Sequence, residues 1–466
     1  MLDKIIGSVN TALYSYILII LLILGGLYFT FRTRFAQFRL FGEQLRAVSE
    51  KPTDKGGVSS FQALMVSTAS RVGTGNIIGV STALCMGGFG SVFWMWIIAI
   101  IGGASALIES TLAQIYKKKL PDGCVGGPAY YIEAALGSRG LAVVFSVLLI
   151  ITYGFGFNML ASYNLQSTFS VYSFYNPAKT PVIIGIIVAA VVAYCLLGGG
   201  KRIIKITSLL VPIMGIAYVL IAMFITLLNI KLLPDVFVRI FTDAFDFKAI
   251  FGGFGGSCVM YGIKRGLFSN EAGVGSAPNA SASAQVEHPV KQGLVQVLSV
   301  FIDTILICSA TAFMCMCSKV VPSAELSGAA YIQACLKASL GDFGPVFITV
   351  AMILFAFTTL LGNLYYVDQC VFYIMRKKPE KKIKSTYHII AALVIFVGSV
   401  LSADLLWNIA DITMGAMTLI NMPVIIILSK YAIAALDDYD RQRTDGKSPV
   451  FKAKNINLPH NVDFWQ

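Results

Sequence analysis

Long apolar runs alternate with short polar joints along nearly the whole chain. Each run is close to the ~20 residues that a helix needs to cross a ~30 Å hydrocarbon core. Eleven runs fall at about 12–31, 61–87, 90–116, 140–170, 181–198, 203–229, 250–284, 291–319, 343–375, 385–402 and 405–431. They predict an all-α integral membrane protein with about 11 transmembrane helices. Two of the longest runs are interrupted. RVGTGN, Arg71 to Asn76, cuts the run 61–87, and KRGLFSNEAGVGSAPNASASA cuts the run 250–284. In both, a Gly-x-Gly precedes a small amide or hydroxyl: Gly73-Thr74-Gly75-Asn76 and Gly273-Val274-Gly275-Ser276, 200 positions apart. Five runs separate the starts of the two units, and an odd number of crossings inverts the second relative to the first. The pattern predicts one N-terminal helix and a 5+5 inverted repeat with two broken helices, the site lying at the midplane between them. The expected divisions are an N-terminal helix with a basic linker (1–56), a first repeat (57–229), a second repeat (230–432) and a polar tail (433–466).

The interruptions suggest chemistry. A glycine-rich break frees backbone N–H and C=O groups, which lipid does not tolerate, so they must face protein, water or a ligand. Half-helix N-termini direct amides and a positive dipole end at an anion. Freed carbonyls and hydroxyls suit a hard monovalent cation. Together these describe a zwitterion's carboxylate bound beside a cation. Gly73, Gly75, Gly273 and Gly275 fit that role, whereas Gly102–Gly103 and Gly252–Gly253 read as close-packing glycines. Charges inside a membrane cost ~2.5–3.5 kcal/mol each on insertion scales, so Arg71, Glu109, Lys264, Arg265, Glu271, Asp303 and Asp411 each need a partner or a purpose. Arg71 and Glu271 precede the two Gly-x-Gly pairs, and a bridge between them, or to Glu109, would hold the breaks in register. In LFAFTTLLGN, Thr358 and Thr359 stand three and four residues after Phe355. Both hydroxyls therefore share a face with the Phe355 carbonyl, as a Na⁺ site would need. The alternative is two threonines bonding back to preceding carbonyls.

Composition agrees with this picture. Hydrophobic residues make up 56% and charged residues 13%, with mean hydropathy +0.75, far from a soluble domain. The net charge of +12 does not imply nucleic acid, because the basic residues cluster in alternate short loops. These are 32–60, Lys117-Lys118-Lys119, Lys201-Arg202 with Lys205, and RKKPEKKIK at 376–384. By the positive-inside rule these loops and the tail are cytoplasmic and the N-terminus is outside. The first run is followed by Arg32 and Arg34 with no small-residue cleavage site, so it reads as a retained span. The tail RQRTDGKSPVFKAKNINLPHNVDFWQ has no apolar period and reads as a solvated extension. Nine cysteines, most of them in apolar runs, read as buried hydrophobes, not disulfides or a zinc site. Three scattered histidines and no hydrolase or metalloprotease motif argue against an enzyme. Two interruptions without a repeated filter argue against a channel.

The stretches RVGTGNIIGVSTAL, GGFGSVFWMW, GGPAYYIEAALG, RGLFSNEAGVGSAP, FIDTILICSATA and WNIADITMGAM…NMP resemble the alanine/glycine:cation symporter family of amino-acid transporters, in the family's order from about residue 61 to 430. VGTGN also looks like the VGLGN of neurotransmitter:sodium symporters. The resemblance implies a LeuT-type fold in the cell membrane and alternating access driven by Na⁺. It places the substrate carboxylate at Gly73, Thr74 and Gly75 with Asn76 close by, and the amino group near Asn270 and Gly273. It places Na⁺, as the coupling ion, between the carbonyls of Ala69 and Val72 and the group Phe355, Thr358 and Thr359. The chain departs from the family where a glutamine is usual and Ala161 stands, and where Gly-Trp is usual and Gly362-Asn363 stands. These changes would enlarge the pocket, making the expected substrate a small or medium neutral amino acid, alanine or glycine or a larger one such as glutamine. Proton coupling through Glu109, Asp303 or Asp411 is the alternative. The implied partners are the substrate and the bilayer, with a monomer compatible.

Overall fold

Amides in a hydrocarbon core have no water to bond, so the apolar runs fold as helices that satisfy them internally. The computed structural model describes all residues except 1, 55, 121–122, 198, 247–256, 378–379, 459–461 and 466. Gly252–Gly253, the start of the run 250–284 and His460 therefore lie outside the described residues. Helix α1 (Ile6–Arg32) precedes the first unit, and α2 (Phe41–Ser49) lies in the basic linker. The first unit is a broken pair, α3 (Ser60–Arg71) and α4 (Gly75–Gly87), followed by α5 (Gly90–Ile115). After a short hairpin, β1 (Lys118–Leu120) and β2 (Gly123–Val125), come α6 (Pro128–Leu136), α7 (Arg139–Val171), α8 (Thr180–Leu196) and α9 (Gly199–Leu228). A connecting helix, α10 (Leu233–Ala244), leads to the second broken pair, α11 (Cys258–Asn270) and α12 (Pro278–Ser281). Then follow α13 (Pro289–Met316), α14 (Ala329–Leu340), α15 (Phe343–Met375), α16 (Lys381–Val400) and α17 (Ala403–Thr444).

The two units run through the same order of elements. Each opens on a serine-capped helix, with Ser59 accepting from the Gln62 amide and Ser257 from the Met260 amide. Each then breaks at a glycine pair. Each inserts a short helix, α6 or α14, between its second and third spans. Among the described residues, eight helices are long and apolar enough to cross a membrane. Together with α8 and the two broken pairs they make up the expected eleven.

Helix α5 is the central post, packed along α11 and α13. Gly102 allows this: a β-carbon there would lie 3.0 Å from Ala272 Cβ, on the second break. Helices α8, α9 and α16 carry exposed Ile183, Leu209, Ile216, Leu220 and Ile389 on their outer faces, as lipid-facing spans do.

The C-terminal segment differs from the expected solvated extension. Helix α17 runs on to Thr444, its polar end held by Asp438 pairing with Arg441 and accepting from Gln442. The chain then folds back. Phe451, Ile456, Val462 and Trp465 are buried, the Phe451 amide donates to the Glu287 carbonyl at 2.9 Å, and Trp465 Nε1 donates to the Gln114 carbonyl at 2.8 Å. These residues are spaced irregularly among polar ones, and Phe451 and Trp465 pack edge to face at 5.4 Å, so no periodicity marks them.

Candidate functional site

The first break is held open by one side chain. Helix α3 ends at Arg71, and the Val72 amide still donates to the Thr68 carbonyl at 2.7 Å. The Gly73 amide, which would bond Ala69 in a continuing helix, donates instead to Asn76 Oδ1 at 2.8 Å. The Asn76 amide likewise turns to the Gly73 carbonyl at 3.2 Å rather than to Val72. The carbonyls of Ala69 and Val72 are thereby released from their helical partners. Helix α15 crosses at this point. A β-carbon on Gly362 would lie 2.7 Å from the Ser70 amide, and one on Gly73 would lie 2.1 Å from Thr359 Oγ1. The Thr359 hydroxyl is buried, and among the described residues no protein group within bonding distance satisfies it. Thr358 is one residue back, its hydroxyl donating to the Leu354 and Phe355 carbonyls at 3.0 and 3.1 Å. The structure thus brings Thr359 against Gly73 and α15 against Ser70 and Ala69, with Phe355 and Thr358 on the preceding turn of α15, where the Thr358 hydroxyl also lies 3.5 Å from Met214 Sδ. The donors are neutral oxygens, one of them an orphaned buried hydroxyl, and this set fits a monovalent hard cation.

The remaining candidate residues spread further. Thr74 Oγ1 accepts from Asn164 Nδ2 at 3.0 Å, and Gly75 lies under the Phe268 ring, where a β-carbon would approach to 2.6 Å. Asn363 Nδ2 donates to Asn158 Oδ1 at 3.0 Å, while its Oδ1 lies 2.7 Å from the Ser70 hydroxyl. Ala161 is buried on α7 one turn from Asn158. The Thr74–Asn164, Asn363–Asn158 and Ser70–Asn363 bonds thereby tie α3–α4, α7 and α15 together. Asn270 and Gly273 take no part in these bonds and pack against other elements. Asn270 Oδ1 caps the Ala272 amide at 3.0 Å near Gly102. Gly273, at φ +84, has its α-carbon against Met422 of α17, and its carbonyl accepts from Asn421 Nδ2 at 3.0 Å.

The expected bridge from Arg71 to Glu271 or Glu109 is not formed. Arg71 Nη1 donates to Gln296 Oε1 at 3.0 Å, and no ion pair within 4.0 Å joins it to either carboxylate among the described residues. The reason lies in the backbone. Glu271 takes a left-handed turn at φ 54, which carries its carboxylate to the Ser276 hydroxyl at 2.6 Å and within 3.4 Å of the Ser70 hydroxyl. Glu109 Oε2 accepts from Asn421 Nδ2 at 3.0 Å. Residues that sequence reasoning passed over do the joining: Asn158, Asn164, Gln296 and Asn421. An amide in the middle of an apolar helix is the signal that would have found them.

Access differs on the two sides. A vestibule of about 720 Å³ lies beside α4, lined among others by Tyr163, Asn164, Lys264, Arg265 and Trp407. Arg265 grips Asp411 with both Nη atoms, at 3.4 and 3.2 Å, and its guanidinium lies 3.9 Å from the Trp407 ring centroid. Lys264 Nζ reaches the same carboxylate at 2.8 Å. At the opposite end Val58 pairs with Ala284, the Gln285 amide donates to the Val58 carbonyl at 3.0 Å, and Gln292 Nε2 donates to Ser60 Oγ at 2.8 Å. Lys117 Nζ also donates to the Ala284 carbonyl at 2.9 Å, beneath the Phe464 ring, and burial pushes its ammonium down to about 8. The molecule is therefore open on the α4 side and sealed on the side of the basic loops.

The sequence profile of the sodium:alanine symporter family matches residues 1–453. The chain is 42% identical over 464 residues to the amino-acid carrier protein AlsT of Bacillus subtilis, covering 100% of this chain and 98% of that one. It is 41% identical over 467 residues to the probable sodium/glutamine symporter GlnT of the same organism, covering 100% and 96%. Among solved structures it is similar to MhsT in complex with L-phenylalanine, with TM-score 0.55, 16% identity and coverage of 82% and 96%. At that identity the likeness shows the fold.

Proposed function

The chain belongs to the sodium:alanine symporter family, and we propose that it imports small or medium neutral amino acids with Na⁺ by alternating access. It is a multi-pass membrane transporter, not an enzyme. The observation that carries the coupling ion is the orphaned Thr359 hydroxyl against Gly73, beside the released carbonyls of Ala69 and Val72. A buried hydroxyl without a partner is costly unless something fills the place. Na⁺ there would take oxygens from both the first break and α15, so its binding draws the two elements together. The substrate carboxylate would sit at the amides of Gly73, Thr74 and Gly75, where α4 begins, with its charge near the cation. The amino group would meet the second break. Asn76 acts beside the substrate by holding the break open, and Asn270 and Gly273 act from behind by shaping the second break. Ala161 and Asn363 would bound the side-chain space.

Alternating access follows from the two ends. Inward release requires the Val58–Ala284 pairing and the Gln292–Ser60 bond to open, while the Arg265–Asp411 pair and Trp407 close over the substrate. The charge pattern of the loops supports a sealed side that is cytoplasmic, in the cell membrane, with the N-terminus outside. A second reading, H⁺ coupling, rests on Glu109 and Asp303, which are buried without a basic partner within 4.0 Å among the described residues.

Competition of labelled-alanine uptake by a panel of neutral amino acids tests the pocket. With a small Ala161 and a polar Asn363, glycine, alanine and glutamine are expected to compete. Restriction to glycine and alanine overturns the enlarged pocket, since exclusion by size requires filling side chains.

A further inference from the structure

We propose that the membrane face between α8 and α16 is a docking site for one anionic phospholipid. Its acyl chain lies in a groove between the two helices and its phosphate meets Arg202 and Lys384, on the side of the basic loops. The helices touch closely at Gly185, where a β-carbon would lie 2.2 Å from Ser399 Oγ. Beyond that contact runs a groove of about 480 Å³, lined by Ala189, Ala190 and Ala193 of α8 and by Ile389, Ala392 and Phe396 of α16. The alanines leave a trough where larger side chains would fill the surface. Ile186, Leu197 and Leu393, also in the lining, are more than half exposed. From Ile186 to Leu197 a helix rises about 16 Å, the depth of one leaflet of a ~30 Å core.

An apolar trough accepts hydrocarbon of any kind, and the polar groups at its end select the headgroup. Lys384 Nζ would lie 3.2 Å from a β-carbon on Gly199, the first residue of α9, and the next residue, Ser385, lines the groove. Arg202 Nη1 donates to the Tyr194 carbonyl at 3.1 Å, and its guanidinium lies 5.3 Å from the Tyr194 ring centroid. It is thereby held along the last turn of α8, next to Ala193, with further donors to spare. Lys201, Lys205 and Lys382 stand exposed at the same end, and none of these five cations is ion-paired among the described residues. Two acids are near. Asp368 accepts from Tyr387 Oη and lies 3.7 Å from His388 Nε2, and Glu380 stands exposed just before α16. His388, one turn along α16 from Lys384, lines the groove and is more than nine-tenths buried. Its Nε2 has no hydrogen-bond partner among the described residues. The glycerol esters of a phospholipid come at this level, between chain and phosphate, and offer the acceptor that hydrocarbon lacks. The phosphate suits the fork of Arg202 and the ammonium of Lys384. A zwitterionic headgroup would bring its own cation against this cluster, and an anionic one does not.

The inference is independent of the coupling ion and of the substrate. The full chain is purified in a neutral detergent, and its thermal midpoint is followed as phosphatidylglycerol or phosphatidylcholine with the same acyl chains is added to the micelles. The midpoint is expected to rise saturably with phosphatidylglycerol. Phosphatidylcholine is expected to need at least about tenfold more lipid for the same rise, the scale of two cations at about fivefold each. Arg202→Gln combined with Lys384→Gln is expected to raise the half-saturating phosphatidylglycerol about tenfold or more and to leave the phosphatidylcholine response unchanged. Ala193→Phe fills the trough and keeps every cation, and it is expected to raise half-saturation by about tenfold too. Ala193 is partly exposed on the lipid face, so this variant does not overpack the core and the test survives if the double variant fails to fold. Lys452→Gln combined with Lys454→Gln removes the same charge from exposed positions of the C-terminal segment and is expected to match wild type. Equal responses to the two lipids, or wild-type half-saturation in Ala193→Phe, overturns the inference. An equal loss in the Lys452 and Lys454 control shows diffuse attraction to a basic face and overturns it as well.

Discussion

Thr359→Val is expected to abolish efficient Na⁺-driven uptake without weakening the fold. Valine keeps the β-branched shape inside α15 and deletes only a hydroxyl that no protein group among the described residues satisfies. Removing an unsatisfied buried polar group is neutral or stabilising on the scale of about 1–3 kcal/mol, so the thermal midpoint without Na⁺ should hold or rise. If that oxygen ligates the cation, the half-saturating Na⁺ concentration rises at least about tenfold, or ~1.4 kcal/mol. Thr358→Val is the informative companion. Its hydroxyl already bonds the Leu354 and Phe355 carbonyls, so loss of stability and loss of Na⁺ affinity should appear together there. Uptake by Thr359→Val at wild-type Na⁺ concentrations would remove the hydroxyl from the ligand set.

Gly275→Ala is expected to be the most damaging single methyl in the protein's second break. Gly275 sits at φ +90, and a β-carbon would approach Phe145 Cζ at 2.8 Å, Asn421 Cγ at 2.9 Å and Pro128 Cγ at 3.0 Å. The left-handed backbone alone costs an L-residue ~1–2 kcal/mol. Overpacking against three neighbours that cannot swing away adds about 1–3 kcal/mol. Gly137 supplies the control: it has φ +66 with no described residue within 4 Å of its β-position, so Gly137→Ala meets only the backbone cost. Thermal unfolding of the two variants, with uptake measured alongside, should give a loss at Gly275 at least twice that at Gly137 and inactive protein only at Gly275. Equal losses would mean that the second break tolerates a side chain and that its close packing against α17 is incidental.

The two breaks were legible because they contradict their surroundings: paired glycines, an arginine and an asparagine have no reason to stand in lipid unless the backbone opens there. Phe355, Thr358 and Thr359 were legible as a candidate cluster because helical spacing places them on one face whatever the tertiary fold, whereas Ala69 and Val72 entered only through the family resemblance. Arg71 shows where such reading stops. Its charge demanded a partner, and the nearest acidic residues in the pattern were Glu271 and Glu109. The left-handed turn at Glu271 and the arrival of Gln296, 225 positions away, depend on the path of the backbone rather than on local pattern. Asn270 and Gly273 illustrate the same limit. Belonging to the second break did not determine which way they face, and Ala272, Asn421 and Met422 determine that. The C-terminal segment carried no period at all, and its anchoring rests on distant groups, the Phe451 amide on the Glu287 carbonyl and the Trp465 indole on the Gln114 carbonyl. Asp303 stood among the charges in need of a purpose, and the Asn76 amide and Ser269 hydroxyl that meet it come from 227 and 34 positions away.

The central claim is that Na⁺, held between the first break and α15, drives amino-acid entry. The most direct test is uptake of labelled alanine into proteoliposomes of the purified chain. An inward Na⁺ gradient is imposed at equal internal and external pH, with a protonophore present. Accumulation that follows the Na⁺ gradient and persists with the protonophore is the predicted result. Accumulation driven by an inward proton gradient in Na⁺-free medium, and collapsed by the protonophore, would contradict it and shift the coupling to the buried carboxylates.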